Sequence, residues 1–322
     1  MARERGSRRL GTTPAVSSMS PHRVLGTALL VVNVALGCAS APEPREVEVV
    51  RPAVVAGAGE TYFEVAGSGP AIVLVHGGFG DRRMWDDHFE ALAKDYRVVR
   101  YDLRGFGRTP ASRAVYSPVD DLRRLLDELG IERATLVGNS MGGGVALDFT
   151  LVHPERVEGL VLVASALNGF PATEADRARF AGDRAAIGAA FQEAGQRGPE
   201  RGIDLWLQSP MVVVTSRALA TRAHLRRMIT ENTGMFTLQH WPIEPLDLPA
   251  NERLGEVRVP TLVIAGQRDT PLMRATSARA AAGIPGAKLV VIAGADHLPQ
   301  MVRPVEFRDA LDGLLERVER NH

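Results

Sequence analysis

Residues Gly138-Asn139-Ser140-Met141-Gly142 match Gly-x-Ser-x-Gly, the spacing of a nucleophile held on a sharp strand-to-helix turn. Small residues two positions either side of the serine let the backbone close without a clash. The hydroxyl is then exposed at the strand end, with the head of a helix behind it. The context agrees: apolar ATLV precedes the pentapeptide and GGVALDFTLVH follows it. A glycine-rich turn without chemistry is the bland alternative. A serine hydroxyl needs a base, and the base needs an acid to orient it. Of eight histidines, His22 lies near the start and His322 is the last residue. His88, His153, His224 and His240 sit in helical contexts. His297, in the loop GADHLPQ after a strand pattern, is the candidate base. Asp269 ends the strand pattern TLVIAGQRD and is the candidate acid, in the chain order Ser, Asp, His. Asp296 and Asp247 are the alternatives.

A second glycine cluster, His76-Gly77-Gly78-Phe79-Gly80, follows the apolar run AIVLV. Glycines there let backbone N–H groups approach a developing oxyanion. Met141, just after the nucleophile, should supply one donor. Gly78 or Phe79 should supply the other, with Gly78 preferred. His76 is expected to hold this loop through hydrogen bonds. The cluster lacks the Gly-Lys-Ser/Thr ending of a phosphate loop and the spacing of a dinucleotide site. No organic cofactor is expected. Cys38 is the only cysteine, which excludes internal disulfides and a cysteine-rich zinc site, and no metal is expected.

The elements that must position these groups are legible from periodicity. Strand candidates are Thr61–Val65, Ala71–Val75, Arg97–Tyr101, Ala134–Gly138, Val157–Val163, Thr261–Ala265 and Lys288–Ile292. Several are apolar on both faces, as in a parallel sheet covered by helices. Amphipathic stretches such as Pro118–Leu129 and Gly143–Val152 separate them. The alternation predicts a doubly wound α/β sheet of about eight strands. The rhythm breaks between Ser165 and about Val257. That segment is rich in Ala, Arg and Glu and then in Trp and Met. It reads as a helical cap over the carboxyl ends of the strands. Trp206, Met211, Met228, Met235, Phe236 and Trp241 read mostly as cap core.

The chain has 322 residues, 45% hydrophobic and 24% charged, within the globular range. Basic and acidic residues both number 38, so there is no basic footprint for nucleic acid. Arg3, Arg5, Arg8, Arg9 and Arg23 oppose Glu4 alone near the start, which leaves the remainder mildly acidic. Uncharged Val24–Gly37 follows Arg23 and ends at Cys38. It is shorter than the ~20 residues that span a bilayer but suits a signal peptide. Ala35-Leu36-Gly37-Cys38 resembles a bacterial lipoprotein signal, with Met1 or Met19 as the start. The expected organisation is signal 1–37, tether 38–60, core 61–165, cap 166–256 and core 257–322. Cys38 would carry the lipid, and the body would stand off the cell envelope.

HGGFG, YDLRGFGRT, GNSMGG, the Arg268-Asp269 pair after TLVIA, and GADHLPQ occur in that order. Together they resemble the α/β-hydrolase superfamily from about residue 60 to 318. The resemblance leans toward enol-lactone hydrolases, meta-cleavage-product hydrolases and small esterases. It implies a cofactor-free serine hydrolase with a Ser140–Asp269–His297 triad, acting on a small ester or lactone. Cleavage of a C–C bond in a vinylogous diketone and ligand reception without turnover are the other readings. Serine at position 140 speaks against dehalogenase and epoxide-hydrolase chemistry, which use aspartate there. Leu298 stands where the C–C hydrolases usually carry an aromatic.

Overall fold

Strand Ala71–Val75 (β3) is AIVLV, and every one of its side chains is buried. Such a strand needs helices on both faces, and the sheet supplies them. The protein is described here from a computed structural model covering residues 49–54, 61–212, 215–232 and 242–321. Eight strands form one sheet: Val49–Val54 (β1), Tyr62–Ala66 (β2), β3, Arg97–Tyr101 (β4), Ala134–Asn139 (β5), Val157–Val163 (β6), Thr261–Gly266 (β7) and Lys288–Ile292 (β8). Their order is β1-β2-β4-β3-β5-β6-β7-β8. The β1/β2 and β2/β4 pairs are antiparallel and the rest parallel.

The chain steps from β3 to β4 on one side and returns to β5 on the other. The strand order therefore reverses between β3 and β5, where Val75 pairs with Gly138. In open α/β sheets a crevice forms beyond the carboxyl ends of the strands at such a reversal. The two glycine motifs leave β3 and β5 at that point.

Local chemistry explains the helices. In Pro118–Glu128 (α2), Ser117 caps the Asp120 N–H, Pro118 opens the first turn, and Asp120 and Asp121 face the positive helix end. Met141–Val152 (α3) runs directly from β5 and is buried nearly all round, as a helix central to an α/β layer must be. Thr270 caps Pro271–Gly283.

Between β6 and β7 the described residues are helical. They include Glu174–Arg179, Ala181–Arg197, Pro199–Trp206, Leu219–Thr230 and the short Ala250–Arg253. Trp206 and Met228 are buried in the core, as read from the sequence. Met235, Phe236 and Trp241 lie outside the described residues. No described helix is long and apolar enough to cross a membrane.

One expectation needs correction. The segment 38–60 was expected to be tether throughout, yet Val49–Val54 is a strand pairing with β2. Its β-branched residues compete for a sheet edge that the tether reading ignored. β8, expected as a strand, forms the other edge of the sheet, and its Leu289 and Val291 are exposed there. Residues 1–48, with Cys38 and its signal, lie outside the described residues.

Candidate active site

Ser140 follows β5 and caps α3 at φ 52° and ψ −116°, a left-handed φ that a side chain rarely adopts. The surroundings enforce it. The Ser140 N–H donates to Val163 O, and Ser140 O accepts from Gly144 N–H and Ala166 N–H. The flanking glycines are steric requirements. A Cβ on Gly138 would stand 2.3 Å from Gly142 O, and one on Gly142 would stand 2.4 Å from His76 O. Met141 is the first residue of α3, so its N–H has no partner within the helix.

His297 lies in the loop beyond β8 and is 3% exposed. Its Nδ1 lies 3.0 Å from Asp269 Oδ2. A carboxylate only accepts, so Nδ1 carries the proton and Nε2 faces away from Asp269. Asp269 Oδ1 accepts from Thr270 N–H at 2.7 Å, which leaves the carboxylate fixed at both oxygens. Asn139, one residue before Ser140, donates from Nδ2 to His297 O at 3.2 Å and to Val163 O at 3.1 Å. The Ser140 turn and the histidine loop are thereby tied directly.

The two alternative acids are placed elsewhere. Asp296 is buried, with Oδ2 accepting from Thr215 N–H at 2.8 Å and Oδ1 accepting from the Thr215 hydroxyl. Asp247 is exposed on the loop before the short helix Ala250–Arg253.

The loop after β3 is held from below. His76 is fully buried, its Nδ1 meeting Gly77 O at 2.7 Å and its Nε2 accepting from Leu103 N–H at 2.9 Å. Burial holds its imidazole below the ordinary histidine range, so it stays neutral and serves as a strut. A Cβ on Gly77 would meet Asn139 Oδ1 at 2.6 Å and Ser140 Cβ at 3.2 Å, so only glycine lets this loop approach the serine. Gly78 has open space around it. Phe79, at φ 61°, stacks on Trp206 at 4.9 Å between ring centroids. Asn232 Nδ2 donates to Gly80 O at 3.0 Å, and Asp81 N–H reaches Met228 Sδ at 3.2 Å. Phe79 also meets the Phe191 ring edge-on at 5.3 Å, so the cap grips the loop through aromatic contacts as well as hydrogen bonds.

The exit of that loop rests on a buried ion cluster that sequence reasoning missed. Arg82 bridges Glu64 and Asp102, both at 2.9 Å, and Arg100 meets the other Glu64 oxygen at 2.6 Å. Burial alone would raise the Glu64 carboxyl, but Arg100 and Arg82 bring it below its ordinary value. Asp102 also accepts from Arg82 N–H and Arg108 N–H. The signal was present in the motif DLRGFGRT, which contributes Asp102 and Arg108. Asn139 was also missed, because nothing local marks the middle residue of Gly-x-Ser as a clamp.

A cavity of about 500 Å³ opens beside Ser140, walled by α3 and by residues 243–250. No described cluster of three or more His, Cys, Asp or Glu could hold a metal ion.

The sheet order, the Gly-x-Ser-x-Gly turn at its reversal point and the His297–Asp269 pair define a class of protein. The profile of the alpha/beta hydrolase fold matches residues 70–304, and the chain belongs to that family. Among its relatives is the 2-hydroxy-6-oxo-6-phenylhexa-2,4-dienoate hydrolase of Comamonas testosteroni, 28% identical over 268 residues, covering 80% of this chain and 91% of that one. A thermophilic esterase from Thermogutta terrifontis superposes with a TM-score of 0.68 at 28% identity, covering 84% of this chain and 99% of the other. Est816, described as an N-acyl homoserine lactone degrading enzyme, gives 0.63 at 27%, covering 81% and 98%. The relatives are hydrolases, and an α/β-hydrolase enzyme is the coarse identity they support.

Proposed function

We propose that the protein is a serine hydrolase of carboxylic esters or lactones, with Ser140 as nucleophile, His297 as base and Asp269 as its orienting acid. One observation carries the reading: Ser140 sits in a left-handed turn at a helix head while Asp269 holds the Nδ1 face of His297 at 3.0 Å. His297 Nε2 takes the hydroxyl proton as Ser140 Oγ attacks the carbonyl carbon. The amides of Met141 and Gly78 receive the oxyanion, and one such donor is typically worth ~10²–10³ in rate. The imidazolium returns its proton to the leaving alkoxide, and the acyl group stays on Ser140. Water, deprotonated by the same imidazole, then releases the acid. Asp269 stabilises the imidazolium throughout.

The test is steady-state turnover of p-nitrophenyl esters of graded chain length, a lactone panel and dienones. Wild type should turn over esters, and folded Ser140→Ala should lose that activity. Near-wild-type turnover by folded Ser140→Ala rejects the reading. A receptor would show binding without sustained turnover. A second reading, hydrolysis of a C–C bond in a vinylogous diketone, is supported by the GNSMGG motif and the Comamonas testosteroni relative. Dienone turnover above ester turnover would favour it.

The proposal extends to the N-terminus on sequence grounds alone. Cleavage before Cys38 and lipidation of its sulfur would anchor the enzyme at the cell envelope. Two or three acyl chains hold stably, at ~0.8 kcal/mol per buried CH₂, where one would not. An unmodified peptide spanning Gly37-Cys38-Ala39 in mass spectra of the mature native protein would defeat it.

A further inference from the structure

Phe79 stands at φ 61° in a loop whose other members after His76, namely Gly77, Gly78 and Gly80, are all glycine. Glycine takes that conformation freely, and phenylalanine takes it only under strain. A fourth glycine would satisfy the backbone, so the ring serves something the backbone does not. It lies 15° from parallel to the Trp206 ring, and Phe191 approaches it edge-on at 60°. Trp206 ends the helix Pro199–Trp206, and Phe191 lies in Ala181–Arg197. Trp206 is 2% exposed, and among the described residues its Nε1 has no hydrogen-bond partner. A buried indole N–H without an acceptor is costly, so what favours the indole here is its face.

The neighbouring glycines show what the ring controls. Gly77 is wedged against Ser140, and Gly80 is held through its carbonyl by Asn232. A Cβ added to Gly78 would meet nothing within 4 Å, so no wall on that side restrains it. Gly78 is suspended between a wedged residue and Phe79. An oxyanion donor works by being aimed before charge develops, so an amide free to turn loses most of its effect.

We propose that Trp206 is a positioning residue for the reaction: by stacking on Phe79 it holds the strained turn that aims the Gly78 amide at the oxyanion. The proposal rests on the reading of Ser140 as nucleophile and Gly78 as donor. Trp206 does not line the cavity beside Ser140, so it acts through the loop and not on the substrate there. Loss of the stack lets Phe79 relax toward negative φ and turns the Gly78 amide away. Ground-state binding is then kept and transition-state binding is weakened, so kcat falls while KM stays.

The experiment follows p-nitrophenyl butyrate hydrolysis in Trp206→Leu, Trp206→Phe, Phe79→Gly and the Trp206→Leu/Phe79→Gly double variant, each checked for folding by circular dichroism. Trp206→Leu should lower kcat about 10- to 100-fold with KM within about twofold, no more than the ~10²–10³ of losing a donor outright. Trp206→Phe keeps an aromatic face and should stay within about threefold of wild type. Phe79→Gly should lose a factor similar to Trp206→Leu, and the double variant should lose less than about twofold more, because both changes break one contact. Inhibition by phenylboronic acid, whose adduct with Ser140 carries a tetrahedral negative charge, should weaken by the factor that kcat loses. Wild-type kcat in folded Trp206→Leu, a loss confined to KM, additive losses in the double variant, or an unchanged inhibition constant overturns the proposal. Should Trp206→Leu fail to fold, Phe79→Leu and Phe79→Tyr break and keep the stack from the loop side, and the same kcat pattern decides. If wild type hydrolyses no ester, the nucleophile reading fails separately. Amide relaxation of Gly77, Gly78 and Gly80 then decides the clamp. Order parameters falling from about 0.85 to below about 0.6 in Trp206→Leu, but not in Trp206→Phe, sustain it, and equal values in all three proteins overturn it.

Discussion

Asp296 and His297 are neighbours in the chain, yet the imidazole is held by a residue 28 positions earlier. The reason is that the Asp296 carboxylate is consumed by Thr215, whose N–H and hydroxyl it accepts, and so ties the histidine loop to the cap. The two acids therefore fail differently when neutralised. Asp269→Asn should lower kcat by about 10³–10⁴-fold, because the amide no longer stabilises the imidazolium or enforces the tautomer. Its melting temperature should change little. Asp296→Asn should lower the melting temperature and cost far less in kcat. Ester turnover and calorimetry on both variants decide it, and a larger kcat loss in Asp296→Asn would overturn the assignment of the acid. His76 completes the residue picture: a histidine near Ser140 that is neutral, buried and committed at both nitrogens cannot serve as base.

At the scale of elements, α3 does two jobs that its glycines divide. Gly142 packs against the backbone of β3, where an added Cβ would stand 2.4 Å from His76 O and 2.5 Å from Val75 O. Neither atom can retreat without disturbing the strand, so Gly142→Ala should destabilise by roughly 1–3 kcal/mol. Gly144 faces Ala166, whose nearest atom would lie 3.7 Å from the new Cβ. Gly144→Ala should instead stabilise by about 0.5–1 kcal/mol, the usual gain of alanine over glycine inside a helix. Chemical denaturation of the two variants checks the opposite signs. The cap acts on the same region from above, through Trp206 stacked on Phe79 and Asn232 bonded to Gly80. Any shift of the cap is thus transmitted to the loop proposed to hold the oxyanion.

For the whole molecule, acid stability is set by groups that folding forces into one charge state. His76 and His88 both lie below their ordinary value of 6.5, because burial disfavours the imidazolium. Between their folded values and 6.5 the unfolded chain binds more protons, so their contribution is complete above 6.5 and is lost as pH falls. Asp148 works oppositely: raised from 3.8 to about 6, it lets the native state bind a proton first and gains stability as pH falls through about 6. His88 bonds Gln300 O and packs on Phe307, away from Ser140. In His88→Gln the fall in unfolding free energy from pH 7.5 to 5 should be shallower, by up to ~1.4 kcal/mol per pH unit. In Asp148→Asn it should be steeper. Denaturant titrations across that range read both slopes, and parallel slopes in all three proteins would refute the account.

The local grammar of the chain was enough to determine the strand-to-helix turn at Ser140, seven of eight strands, the helical segment between β6 and β7 and the family. Each rests on interactions within a few residues: a serine between small neighbours, apolar runs too long to face water, caps such as Ser117 and Thr270. The pairing of Asp269 with His297 followed from chain order, because each ends its own strand pattern. What the tertiary structure decided depends on residues far apart in sequence. Val49–Val54 became a strand only because β2 offered an open edge, and β8 is exposed because it is the other edge strand among the described residues. Glu64, Arg82, Arg100 and Asp102 are ordinary charges in the sequence and a buried cluster in space. Asp148 reads as a polar residue on an apolar helix until the fold closes a cavity over it and leaves one oxygen without a donor. Burial and partner choice are properties of the assembled packing, which no short window of sequence contains.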